Sequence, residues 1–237
     1  MNRPTVLLLH AFPLDHRMWN GLGSALEDAG YPVAAPDFPG PTVELGFAAW
    51  ARRALGLVEG RLVPVGCSMG GYLALELWRQ APERIAALVL ADTRATPDSP
   101  EQRLARDDAI RLLGEAGRGA FWDDLAPRLF SPGADPAVVG WARDVALEQS
   151  ITALVATQET IRDRADSRPT LATIDVPVLV VVGEDDRLTP PEDSEAMAAA
   201  VPRARLSRIA GAGHLAPVEQ PEAVTAEVVA FLREAAP

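Results

Sequence analysis

Six short apolar runs alternate with helix-like stretches along most of this chain, and that alternation restricts its fold more than any other feature. The runs span residues 6–9, 33–35, 62–65, 88–91, 178–182 and 205–209. Most are continuously apolar, as expected of strands covered on both faces. Helix-like stretches at 18–29, 47–58, 71–79, 193–200 and 223–235 separate or follow them. Strand alternating with helix predicts a parallel sheet joined by right-handed crossovers. The alternation breaks once, between about Thr93 and Ala172, where helix-like pieces at 100–116, 119–129, 136–149 and 151–166 succeed one another with no convincing strand. No Gly/Ser linker or charge block divides the 237 residues. The expectation is one α/β core, 1–92 and 173–237, carrying a helical insertion at 93–172.

The junction between the third run and its helix points to chemistry. Gly66-Cys67-Ser68-Met69-Gly70-Gly71 follows Leu62-Val63-Pro64-Val65 and opens an apolar helix-like stretch that runs to Trp78. A G-x-S-x-G between strand and helix is a tight turn that lifts a serine hydroxyl above the sheet. Backbone atoms approach closely there, so the positions two before and two after the serine must be small. Serine is also a favoured helix N-cap, so the pentapeptide alone leaves both readings open.

A nucleophilic serine needs a base, and the chain has three histidines: His10, His16 and His214. His214 lies in Gly211-Ala212-Gly213-His214-Leu215-Ala216-Pro217, a glycine-rich loop after the last apolar run. Such a loop can turn an imidazole toward a neighbouring serine. The base in turn needs an orienting carboxylate. Glu184, Asp185 and Asp186 follow the strongest strand signal, at the end of a parallel strand where ligands bind. The chain order serine, acid, histidine differs from the orders in chymotrypsin and subtilisin.

On these motifs the chain resembles the α/β-hydrolases over nearly its whole length. The family's His-Gly-x oxyanion loop after an early strand is matched by His10-Ala11-Phe12, and its Asp-x-x-Gly turn by Asp37-Phe38-Pro39-Gly40. Its Gly-x-x-Asp-x-x-x-Pro acid loop is matched by Gly183 through Pro190, which selects Asp186 over Asp185, and its Gly-x-x-His loop by Gly211 through His214. The resemblance implies a mostly parallel sheet of about six strands, with the helical insertion serving as a small cap. It also implies Ser68 as nucleophile, His214 as base and Asp186 as acid, with the N–H groups of Phe12 and Met69 as oxyanion hole and no metal or organic cofactor. Ala11 replaces a customary glycine, and Pro39 a frequent arginine. No counterpart of the hairpin that often precedes the first strand is evident, which predicts a trimmed sheet.

The activity implied is hydrolysis of small carboxylic esters or lactones, similar to the 3-oxoadipate enol-lactonase branch, with which the Ala91-Asp92-Thr93 run is compatible. Perhydrolases and C–C hydrolases use the same triad, and a non-catalytic ligand-binding protein on this fold is the competing class. A serine in place of an aspartate separates the chain from the dehalogenase and epoxide-hydrolase branches.

Composition excludes other chemistries. All 22 basic residues are arginine, so no Schiff-base, PLP or P-loop lysine exists. A formal net charge of −11 argues against nucleic acid or an anionic membrane as partner. No stretch reaches the apolar length of a membrane span, and the first apolar run is too short for a secretory core. One cysteine, Cys67, precludes an internal disulfide and suits a reducing cytoplasm. Cys67 occupies the variable position before the serine and is expected to be buried and inert. Two loop histidines without a matching ligand cluster are a weak metal signal, and His10 is expected to brace the oxyanion loop. Arg94, just beyond the fourth run, either meets an anionic group on a substrate or forms a surface salt bridge. Trp122, with Phe121, Leu125, Leu129 and Phe130, is a candidate for the pocket wall, and short helices there predict a small pocket.

Overall fold

The six strands lie side by side in one sheet of order β2-β1-β3-β4-β5-β6, and every pair of neighbours is parallel. They are β1 (Thr5–Leu9), β2 (Val33–Ala34), β3 (Leu62–Cys67), β4 (Leu88–Ala91), β5 (Val178–Gly183) and β6 (Ala204–Ile209). This computed structural model describes residues 3–39 and 45–236; Gly40 of the Asp-x-x-Gly turn lies outside them. Strands β3, β4 and β5 are buried at every position, which explains their unbroken apolar sequence. The edge strand β6 exposes Arg205 and Arg208, charges that discourage pairing with a further strand.

Helices cover both faces. They are α1 (Asn20–Asp28), α2 (Phe47–Leu57), α3 (Met69–Gln80), α4 (Pro100–Leu129), α5 (Pro136–Glu148), α6 (Ile151–Arg162), α7 (Arg168–Leu171), α8 (Pro191–Ala200), α9 (Ala216–Glu219) and α10 (Pro221–Ala235). The helix expected at 18–29 is divided: a 3₁₀ turn, His16–Trp19, precedes α1. The two pieces expected at 100–116 and 119–129 run on as α4, with a break at Gly117, whose φ of 78° no helix contains. The piece expected to reach residue 166 stops at Arg162, and α7 and α9 are short helices that the apolar periodicity does not announce.

Between β4 and β5 the described residues contain helices α4 to α7 and no strand, as the broken alternation predicts. Chain direction makes the site's location a matter of topology. From β1 the chain moves to β2 on one side, then returns past β1 to β3 on the other. The C-terminal ends of β1 and β3 therefore flank a switch point, the place where open parallel sheets open a crevice for ligands. Pairing of Leu9 with Gly66 puts the loop after β1 directly beside the turn after β3.

Candidate active site

Ser68 sits at the top of β3 with φ 52° and ψ −112°, a conformation that a side-chain-bearing residue adopts only under strain. Its surroundings impose it. A Cβ at Gly66 would collide with the Gly70 carbonyl, one at Gly70 with the Leu9 carbonyl, and one at Gly71 with the Thr93 side chain. Thr93 Oγ1 donates to Ser68 O (2.8 Å), and Ser68 N donates to Ala91 O (2.8 Å), so the turn is clamped to the end of β4. Ser68 remains half-buried, and its hydroxyl faces His214.

Asp186 and His214 arrive from the loops after β5 and β6. Gly183 and Gly213 are required here for room, since a Cβ at Gly183 would strike the carbonyls of Ala212 and Gly213. Ser68 Oγ donates to His214 Nε2 at 2.7 Å, and His214 Nδ1 donates to Asp186 Oδ2 at 2.8 Å and Oδ1 at 3.0 Å. Asp186 also accepts from the backbone N–H groups of Leu188 (2.8 Å) and Thr189 (2.9 Å) and from Thr189 Oγ1 (2.6 Å). Burial alone would raise the pKa of this carboxyl. The imidazole and the Thr189 donors outweigh that and hold it below the ordinary aspartate value, so it stays ionised. Asp185, its neighbour, is exposed, and among the described residues its carboxylate has no such contacts.

A second buried carboxyl, not singled out from the sequence, ties the loops together. Asp92 follows β4 with φ 45° and is fully buried; its Oδ1 accepts from Gly183 N (2.9 Å) and its Oδ2 from Ala216 N (2.9 Å). One side chain thus fixes the start of the acid loop and the residue two beyond the histidine. Burial, then repulsion from Asp186, pushes its pKa well above the ordinary value. Cys67 is buried beneath, and the same burial and the two carboxyls push its thiol upward, away from the reactive thiolate.

The N–H groups of Phe12 and Met69 lie on the two sides of the switch point, and among the described residues neither is engaged in a hydrogen bond. His10 spans the base of the first loop: its Nδ1 donates to Ala11 O (3.0 Å), and its Nε2 accepts from Phe38 N (2.9 Å). Burial keeps this histidine below its usual pKa. His16 pairs with Asp37 (2.9 Å), the residue before Phe38. The nearby Asp15 carboxylate is bound by the Arg17 guanidinium (2.7 Å).

A cavity of about 290 Å³ opens above Ser68 and His214, roofed by helices α4 and α6. Its apolar wall includes Phe12 and Phe121, whose rings meet edge-to-face at 5.8 Å, with Leu125, Leu129 and Ile161. Trp122 and Phe130 are not in this wall. They pack on each other at 6.2 Å in the adjacent core: Trp122 is turned about 100° from Phe121 along α4, and Phe130 follows the helix in extended backbone. Arg94 does line the cavity, yet its guanidinium donates to Leu188 O and lies 3.7 Å from Asp193. Sequence reasoning missed Arg106 and Gln158 on the same wall; Gln102, Arg106 and Ala109 share one face of α4 at helical spacing, the only local signal available. The insertion also reaches the histidine loop itself. Leu129 O accepts from His214 N (2.9 Å), Ser131 Oγ donates to Gly211 O (3.2 Å), and Glu219 accepts from both Ser131 N and Gly213 N.

Comparison with known proteins agrees with this geometry. The model of the alpha/beta hydrolase family matches residues 6–228. A pimeloyl-[acyl-carrier protein] methyl ester esterase of Aromatoleum aromaticum is 30% identical, the alignment covering 94% of this chain and 95% of that protein. The structure of a thermophilic esterase from Thermogutta terrifontis superposes with a TM-score of 0.90 at 36% identity, covering 98% of this chain and 90% of that one. An enol-lactonase from Burkholderia xenovorans superposes with a TM-score of 0.83 at 28% identity, covering 98% and 92%. Sheet order, strained serine turn and family match together identify this chain as a member of the α/β-hydrolase family.

Proposed function

We propose that this protein hydrolyses small carboxylic esters or lactones through an acyl-enzyme on Ser68. The observation that carries the reading is the double engagement of His214, with Nε2 on the serine hydroxyl and Nδ1 on an ionised, buried carboxylate. In this arrangement Ser68 Oγ attacks the carbonyl carbon as its proton passes to Nε2, and Asp186 stabilises the imidazolium that forms. The tetrahedral oxyanion is received by the N–H groups of Phe12 and Met69, which need no reorganisation to donate. His214 then protonates the departing alkoxide, and a water deprotonated by the same nitrogen releases the acid. In a lactone the departing oxygen, once protonated, remains on the acyl chain as a hydroxyl, and the last step releases a single hydroxy acid.

Residues 93–172 act as the cap in this reading, closing the cavity over the serine. A volume near 290 Å³ lies at the lower end of ligand pockets and favours short acyl chains. Names borne by relatives, methyl ester esterase and enol-lactonase, lend support to ester and lactone substrates alike.

Steady-state hydrolysis of p-nitrophenyl acetate and of a panel of small lactones tests the proposal, with Ser68→Ala and His214→Ala alongside. Turnover lost in both variants, with circular dichroism unchanged, is expected. The two losses should not add in the double variant, because the residues act as a unit. Binding of these compounds without turnover would replace the hydrolase reading with that of a binding protein on the same fold. Turnover retained by Ser68→Ala would dismiss the acyl-enzyme.

A further inference from the structure

The wall of the active-site cavity contains four arginines, Arg94, Arg106, Arg128 and Arg187, and among the described residues no aspartate or glutamate. In a chain with 33 acidic and 22 basic side chains that concentration runs against the overall charge. Two of the four have partners: Arg94 in Leu188 O and, at 3.7 Å, Asp193, although its buried Nε has none among the described residues, and Arg128 in Asp124 at 2.7 Å. Arg106 is the informative one. Its Nε donates to Asp98 (3.1 Å) and its Nη1 to Gln158 Oε1 (3.0 Å), which hold the guanidinium in place and leave Nη2 without a partner among the described residues.

Two further observations show what the cavity lacks. Gln158 is 2% exposed and lines the cavity; its Oε1 accepts from Arg106, and among the described residues its Nε2 makes no hydrogen bond. Asp98, buried beside it, is shared between Arg106 and Arg164, the latter at 2.6 Å and itself 4% exposed. Arg94, Arg106 and Arg164 thus share Asp98 and Asp193, three positive charges against two negative. Arg106 keeps 27% of its side chain exposed, so water reaches the open edge of the guanidinium, and an incoming anion would replace that water with a charge-assisted hydrogen bond. The vacant positions are all donors, which a carboxylate complements and an alkyl group does not.

We infer that Arg106 and Gln158 form a carboxylate subsite, and that the preferred substrates carry a free carboxylate away from the scissile ester. This rests on the hydrolase reading above and specifies its substrate class. Arg94, the residue that sequence position suggests for this role, lines the same cavity and also ties the segment after β4 to the acid loop through Leu188 O.

The test compares monomethyl succinate, glutarate and adipate with methyl butanoate, pentanoate and hexanoate, pairs that differ only in a terminal carboxylate or methyl group. Wild-type kcat/KM should favour the carboxylate member of at least one pair by about 10- to 100-fold, the range for a hydrogen bond to a charged group. That ratio should collapse in Arg106→Met and shrink in Gln158→Leu, while Arg111→Gln, on the exposed face of α4, should keep it. A wild-type ratio near one, or a ratio unchanged in both Arg106→Met and Gln158→Leu, overturns the inference. Calorimetric titration with glutarate and adipate separates the two levels of the proposal. Should no ester turn over, the hydrolase reading fails, and binding weakened at least about tenfold in either variant still supports the subsite. Absence of dicarboxylate binding to the wild-type chain sinks the subsite whatever the kinetics show.

Discussion

Thr189 donates its hydroxyl to Asp186 at 2.6 Å, and the same oxygen lies 3.2 Å from His214 Nδ1. Without that hydroxyl Asp186 would keep its charge on His214 and two backbone donors alone. Removing the hydroxyl while keeping the shape should therefore weaken support for the imidazolium. Thr189→Val is expected to lower kcat by about tenfold with KM little changed, as for loss of one charge-assisted hydrogen bond. Thr189→Ser should restore most of the rate. An equal fall in both variants would assign Thr189 to packing alone.

Asp186 and its neighbour Asp185 are expected to respond very differently to amidation. Asp186→Asn removes the charge and disturbs the histidine tautomer, so kcat should fall by roughly 10³- to 10⁴-fold. Asp185 is exposed, and Asp185→Asn should cost less than about twofold, as surface changes generally do. Stopped-flow and steady-state rates on one ester compare the two directly. The reverse ranking would move the acid one residue upstream.

Phenylmethylsulfonyl fluoride should inactivate the protein with one adduct, located by peptide mass spectrometry on Ser68. Cys67 is adjacent in sequence but fully buried, with its thiol pushed toward the protonated form. Cys67→Ala should therefore inactivate at the wild-type rate. An adduct on Cys67 would contradict the assignment of the nucleophile.

His10 makes stability depend on pH in a defined direction. Its neutral ring is needed, because Nε2 accepts from Phe38 N while Nδ1 donates to Ala11 O. Burial depresses its folded-state pKa below the ordinary value of about 6.5. As pH falls through that ordinary value the unfolded chain takes up a proton that the folded chain resists, so stability is lost. The slope contributed by His10 is at most about 1.4 kcal/mol per pH unit and ends once the folded-state pKa is passed. Guanidinium unfolding between pH 7.5 and 5.5 should show this loss, and His10→Gln should flatten it. An unchanged slope in His10→Gln would remove His10 as the cause.

Much of the framework was legible because its turns tolerate so few residues. Gly66, Gly70, Gly183 and Gly213 each stand where any side chain would collide with backbone, so their spacing announces the loops that carry Ser68, Asp186 and His214. The continuous apolar runs gave the strand ends to within one or two residues, since β3 to β5 have no solvent face to interrupt them. The cavity wall was not legible in the same way. Arg106 and Gln158 look like residues of solvated helix faces, and only the packing of α4 on α6 turns them toward a common space. Of the five side chains offered for the wall, Phe121, Leu125 and Leu129 line the cavity, whereas Trp122 and Phe130 do not. Asp92 carries no sequence mark of its role, because its two bonds come from loops about ninety and more than one hundred and twenty residues downstream. The break in α4 falls at Gly117, between the two pieces foreseen, since a φ of 78° is open to glycine at little cost.

The hydrogen bond from His214 N to Leu129 O, with the Ser131 and Glu219 contacts beside it, has a consequence for engineering by recombination. A transplant that exchanges residues 93–172 as a cassette would also exchange the scaffold beneath the histidine. A donor segment whose backbone followed another path at 129–131 would shift the imidazole and depress the rate for reasons unrelated to substrate fit. Gly213 narrows the tolerance further, since a Cβ there would sit 2.6 Å from Ser131 N. Chimeras that keep residues 129–131 and 211–219 from one parent preserve the register of the base, and their altered specificities can then be credited to the transplanted wall.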